Sequence, residues 1–184
     1  LWKAHFLSQI QKLRRQKMLN KKVMIVSLGC DKNLVDTEKM LGILADEGCT
    51  FTDDEAQAQV IIVNTCCFIG DAKEESIQNI LDLARFKTEG KLEALIATGC
   101  LSQRYQDEML EELPELDGIL GISAWHTIAD VVRDALEGKR PRNLMSTGVL
   151  NSHTTKRLLT TGGHYAYLKI AEGCNKRCTY CVIP

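Results

Sequence analysis

Residues 23–28, 60–63 and 92–97 are apolar runs of strand length with little alternation. That is the pattern of strands covered on both faces of a sheet. Between these runs the period changes. Val35, Met40, Leu41 and Leu44 recur at helical spacing and predict a helix over 33–47, stopped by Gly48. Asp36 and Glu38 fall near its expected start, where they favour the helix dipole. Ile77, Ile80, Leu81 and Ala84 predict a second helix over 72–86, and a third spans 102–113. Residues 51–54 read as a short edge strand or loop, 117–122 as a fourth main strand, and 127–137 as a last helix closed by Gly138. Strand and helix alternate through short connections, so the expected fold is α/β with a doubly wound parallel sheet.

Residues 139–163 break this pattern with a basic stretch, then Ser, Thr and Asn, then Thr160-Thr-Gly-Gly163. They read as a linker with at most short strands. Residues 164–170 alternate Tyr165, Tyr167 and Lys169 with Ala166, Leu168 and Ile170, which predicts a strand opening a second domain. The expected boundaries are a non-structural leader at 1–17, a first domain at 18–138, the linker, and a truncated second domain at 164–184. The leader is basic and free of acids. It reads as upstream sequence, with Met18 as initiator, in preference to a transit peptide.

The chain has 184 residues, 45% hydrophobic and 26% charged, enough for a core. A net charge of −1 gives no electrostatic case for DNA, RNA or an acidic membrane surface. No apolar run approaches the ~20 residues of a membrane-spanning helix. Composition thus leaves the eight cysteines as the chemistry to explain. A disulfide framework suits small secreted scaffolds without a core. A chain with a core and no secretory signal favours metal or cluster ligation instead.

Two groups of cysteines stand out. Cys174, Cys178 and Cys181 follow the pattern C-x3-C-x2-C, with Tyr180 before the third. Three thiolates in so short a loop can hold three irons of a cubane cluster and leave the fourth open. Cys30, Cys66 and Cys100 are far apart in sequence, yet each ends a predicted parallel strand. The carboxyl ends of such strands share one edge, where ligand sites form. Helix N-termini beginning just after these turns would favour an anionic cluster. Buried filler is the alternative for any one of them, less so for three in the same phase. Cys67 reads as filler beside Cys66, and Cys49 as structural at the opposite edge.

The residues quoted resemble the methylthiotransferase family of radical S-adenosylmethionine (SAM) enzymes, from about Val23 to Pro184. Ser27-Leu-Gly-Cys30-Asp-Lys32-Asn33-Leu-Val35-Asp36-Thr-Glu38 resembles the RimO type, as do Val63-Asn-Thr-Cys66-Cys-Phe-Ile69 and Thr98-Gly-Cys100-Leu-Ser-Gln-Arg-Tyr105. Asp31 departs from the small residue or Pro often found there. The resemblance implies two 4Fe–4S clusters and SAM. Cys30, Cys66 and Cys100 would hold the auxiliary cluster, and Cys174, Cys178 and Cys181 the radical SAM cluster. Tyr180 would lie near the SAM adenine. It implies a cytoplasmic transferase adding a methylthio group to the β-carbon of an aspartate in the twelfth small-subunit ribosomal protein. Electrons would come from a donor such as flavodoxin or ferredoxin. The fragment alone would lack the rest of the barrel and be inactive. Two rivals stay open: a tRNA adenosine methylthiotransferase, which the Cys30 loop disfavours, and a non-catalytic iron–sulfur module.

Other residues carry less. Lys32, Asn33 and Asn64 could orient sulfur or substrate, or only shape turns. Arg104 and Tyr105 read as helix-face residues, Trp125 as packing, and Glu74 and Glu75 as solvated surface. Lys176 and Arg177 could lower thiolate pKa values in the cluster loop. His5, His126, His153 and His164 show no metal spacing.

Overall fold

A computed structural model describes residues 21–145, 156–181 and 183. The leader, Met18, His5, His153 and the linker stretch 146–155 lie outside the described residues. Six strands form one sheet: β1 (Lys22–Ser27), β2 (Thr50–Phe51), β3 (Val60–Thr65), β4 (Ala94–Gly99), β5 (Gly118–Leu120) and β6 (Arg142–Asn143). Their spatial order is β2-β1-β3-β4-β5-β6, and every neighbouring pair is parallel. Five helices connect them: α1 (Asp31–Asp46), α2 (Gly70–Ala84), the short α3 (Phe86–Glu89), α4 (Cys100–Glu112) and α5 (Ile128–Leu136). The expected doubly wound parallel sheet is what forms.

Both central strands are buried along their whole length, so alternate residues feed two separate cores. Val60 and Ile62 of β3 and Ile96 of β4 face one core with Met40 and Leu44 of α1 and Ile128, Val131 and Val132 of α5. Ile61 and Val63 of β3 and Leu95 and Ala97 of β4 face the other, with Ile80 and Leu83 of α2 and Leu101 and Met109 of α4. Trp125 packs in the first core as expected, and Lys39 Nζ sits 4.6 Å from the centre of its ring. Cys49 is buried in the same core, and burial pushes its thiol up to about 11.

Three expectations need correction. The first helix begins at Asp31, not Asn33, so Asp31 occupies its first turn. Asp36 and Glu38 then fall mid-helix, where both are buried, and the dipole does not account for them. The last helix is preceded by a 3-10 segment, Ile122–Thr127, and its α-helical part starts only at Ile128. Residues 164–170 join no sheet. A strand needs a ladder partner, and none stands beside this segment among the described residues. Its alternation survives as two faces: Leu168 and Ile170 are exposed, while the Lys169 amine is buried against α1.

Ile62 is fully buried in the middle of the sheet. Ile62→Ala is expected to cost about 2–5 kcal/mol, since the side chains of α1 and α5 cannot collapse onto a rigid strand. Urea denaturation checks this, with the midpoint falling and the slope unchanged.

Candidate metal centre

β1, β3 and β4 end at Ser27, Thr65 and Gly99. Cys30, Cys66 and Cys100 therefore follow the carboxyl ends of three adjacent strands. The strand order reverses between β1 and β3, and such a switch point opens a crevice at this edge. Cys30 is the N-cap residue of α1, and Cys100 is the first residue of α4. Two thiols thus stand at helix N-termini, where partial positive charge favours an anionic group. Cys66 differs, because α2 begins only at Gly70.

Asn33 gathers this edge. The residue is 6% exposed, and its Oδ1 accepts from Cys30 Sγ at 3.9 Å and from Cys100 Sγ at 4.0 Å. Its Nδ2 donates to Thr65 O at 3.0 Å, the carbonyl just before Cys66. Asn64 returns the tie, donating Nδ2 to Asn33 O at 2.8 Å and to Thr37 Oγ1 at 3.0 Å. Thr65 Oγ1 donates to Thr98 O at 2.5 Å, bridging β3 to β4. The Cys66 N–H donates to Ser76 Oγ at 3.1 Å, so α2 holds that turn. Lys32, by contrast, is exposed.

Glycine is required where the turns close in. Gly99 has φ +94°, and a Cβ there would stand 2.5 Å from both Asn64 Oδ1 and Thr65 O. At Gly29 a Cβ would stand 2.2 Å from Asn33 Nδ2.

The thiols sense one another. Burial pushes Cys100 up to about 12, and the neighbouring thiols Cys67, Cys66 and Cys30 push the same way. Cys67 is raised by burial, with Arg104 and Lys73 opposing. Cys67 is expected from sequence to be filler. It does pack against the second core, but it also stands at this edge as a fourth thiol. Lys73 Nζ lies 4.1 Å from the centre of the Tyr105 ring, and Arg104 Cζ 5.9 Å, so both helix-face residues belong to a cationic flank of the site.

Among the described residues, no three Cys, His, Asp or Glu side chains close on one point as the ligands of a single ion do. A cubane makes a different demand, since each thiolate binds its own iron at a separate corner. The Cys100 thiol, whose charging its buried place and its thiol neighbours disfavour, fits a group whose metal charge reverses that balance.

The second triad is open. Cys174 and Cys178 are exposed, Cys181 is half-buried, and Tyr180 is 90% exposed. The Cys181 N–H donates to Cys178 O at 3.0 Å, and the Lys176 N–H reaches Cys174 Sγ at 3.5 Å. Arg177 takes φ +51° at the turn between the first two cysteines. No helix of the described residues is long and apolar enough to cross a membrane.

Two outcomes follow. Gly99→Ala is expected to cost at least about 2 kcal/mol, from the positive φ and the collision with Thr65 O, as read by urea denaturation. In the metal-free chain at pH 8, iodoacetamide should modify exposed Cys174 and Cys178 at least about tenfold faster than Cys49 and Cys100. Peptide mass mapping over time checks the order. Comparable rates at Cys100 and Cys174 would contradict the burial described.

Residues 22–121 match the model of the family described as "Uncharacterized protein family UPF0004". Three relatives bear the name ribosomal protein uS12 methylthiotransferase RimO. That of Lachnoclostridium phytofermentans is 52% identical over 163 residues, covering 89% of this chain and 37% of the relative. That of Desulforamulus reducens is 53% identical, covering 87% and 36%. That of Bdellovibrio bacteriovorus is 44% identical, covering 94% and 38%. The chain therefore spans little more than a third of the length of these relatives. By the match over residues 22–121, which takes in the Cys30, Cys66 and Cys100 turns, this chain belongs to the UPF0004 family and is similar to the relatives named RimO.

Proposed function

We propose that the chain is the cluster-binding part of a radical SAM methylthiotransferase that modifies the β-carbon of an aspartate in ribosomal protein uS12. One observation carries this reading: Cys30 and Cys100, on separate strand ends, both point at Asn33 Oδ1, with Cys66 following the strand between them. The names of the relatives supply the substrate. Cytoplasmic location and a donor such as flavodoxin or ferredoxin belong to the same proposal.

Cys30, Cys66 and Cys100 would hold one 4Fe–4S cluster, and Cys174, Cys178 and Cys181 a second. When bound, the clusters and SAM supply the radical, the sulfur and the methyl group of the reaction. The chain's own residues do the rest. Asn33 sets the spacing of two thiols and ties them to the β3 turn. Gly99 lets the β4 turn approach Thr65 without a side chain between. The N-termini of α1 and α4 direct N–H groups toward the edge and offset negative charge there. Lys176 and Arg177 do the same in the second loop. Tyr180 offers an open aromatic face to the adenine. Lys73 and Arg104 present cations beside the first site, suited to an acidic target side chain. The domain reading is a cluster-binding domain at 18–138, a linker at 139–163 whose first part adds β6 to the domain's sheet, and the start of a radical SAM domain at 164–184.

Anaerobic reconstitution tests the assignment. The triple variant Cys30→Ala/Cys66→Ala/Cys100→Ala is expected to lose about four irons per chain relative to the parent, as one cubane requires. Iron and sulfide analysis with electron paramagnetic resonance gives the count. Full iron retention would mean that these cysteines are core residues and that the reading is wrong.

A further inference from the structure

Residues 156–172 form a strap along α1. It starts at the C-terminal end of the helix, where Lys156 Nζ lies 2.9 Å from Asp46 Oδ1. In the middle, the Leu158 N–H donates to Glu38 O at 3.1 Å. Thr160 gives its N–H and its hydroxyl to Glu38 Oε1 at 2.7 and 3.0 Å. Arg157 grips Glu38 Oε2 through Nε at 2.6 Å and Nη2 at 2.5 Å, and its Nη1 donates to Tyr167 O at 2.6 Å. Toward the N-terminal end, Lys169 Nζ lies 2.5 Å from Asp36 Oδ2 and also pairs with Glu172. The carboxylate of Asp31, next to Cys30, holds the Tyr167 hydroxyl above its usual pKa.

The contacts of Asp36, Glu38 and Lys169 are buried, while the Lys156–Asp46 pair is exposed. The Glu38 side chain is 0% exposed, Asp36 9% and Lys169 3%. The fit is also close: a Cβ at Gly42 would stand 1.8 Å from Lys156 O. A buried carboxylate that loses its cation is strongly disfavoured, so these pairs hold the strap on the helix. The strap ends at Glu172, two residues before Cys174.

We infer that Asp36 and Glu38, held by Arg157, Thr160 and Lys169, form an ion-pair clamp that fixes along α1 the strap leading into the Cys174 loop. The five are positioning residues for transfer between the two cysteine groups, a role that rests on the proposed function. The clamp itself does not. α1 then serves both groups, carrying Cys30 and Asn33 at its start and the strap's anchors along its length.

Hydrogen exchange of the metal-free chain tests the clamp, because two strap amides donate directly to Glu38. In Lys169→Met, whose lost partner is Asp36 rather than Glu38, Leu158 and Thr160 should exchange at least about tenfold faster, while amides of β3 and β4 keep their rates. Asp36→Leu/Lys169→Met removes both buried charges and should bring the two amides back to within about threefold of the parent. Unchanged rates at Leu158 and Thr160 in the single variant would overturn the clamp. So would acceleration spread equally over β3 and β4, or a double variant as fast as the single one. The measurement involves no iron, so it can fail while the iron assignment stands, and the reverse.

Discussion

Beyond the last ladder pairs, Ser27 with Asn64 and Thr65 with Gly99, the turns that follow three parallel strands are gathered by the carboxamide of Asn33. A parallel sheet sends every strand out at one edge. At its switch point the outgoing turns diverge and leave polar groups unpaired. Here Asn64 donates to the Asn33 carbonyl and Asn33 to the Thr65 carbonyl, tying the start of α1 to the end of β3, and Thr65 extends the tie to β4. Buried polar groups must be satisfied, and this network does so while presenting thiols around one oxygen. The two cores hold the sheet, but the amide network turns its edge into a site.

The same helix that opens at this edge gives the molecule its second constraint. α1 buries Met40 and Leu44 against the sheet and also two acids, Asp36 and Glu38. Such acids stay in place only with matched cations. Arg157 and Lys169 lie more than a hundred residues further along the chain. Burial pushes Asp36 up, with Lys169 opposing. Hydrogen bonds from Thr160 and Arg157 hold Glu38 down against the effect of its burial. Electrostatics thereby joins parts of the chain that share little apolar contact.

Much of the fold was legible because β3 and β4 are covered on both faces. Continuous apolar runs announce such strands, and the intervening helical periods announce the winding. The strand-end phase of Cys30, Cys66 and Cys100 was legible for the same reason. What sequence hid depended on distant partners. Asp36 and Glu38 looked like dipole-favouring acids because nothing local marks Arg157 or Lys169 as their counterparts. Residues 164–170 carried true alternation, but alternation marks a strand only where another strand pairs with it. Cys67 looked like filler because its place beside Cys100 depends on how β3 and β4 align.

The central claim is that this edge is built to hold a four-iron cluster with one corner left free. An anaerobic crystal structure of the iron-loaded chain tests it most directly. The account predicts a cubane at the ends of β1, β3 and β4, bound by Cys30, Cys66 and Cys100, with its fourth iron lacking a protein ligand. A cluster closed by Cys67 as fourth ligand, or iron held elsewhere, would contradict it.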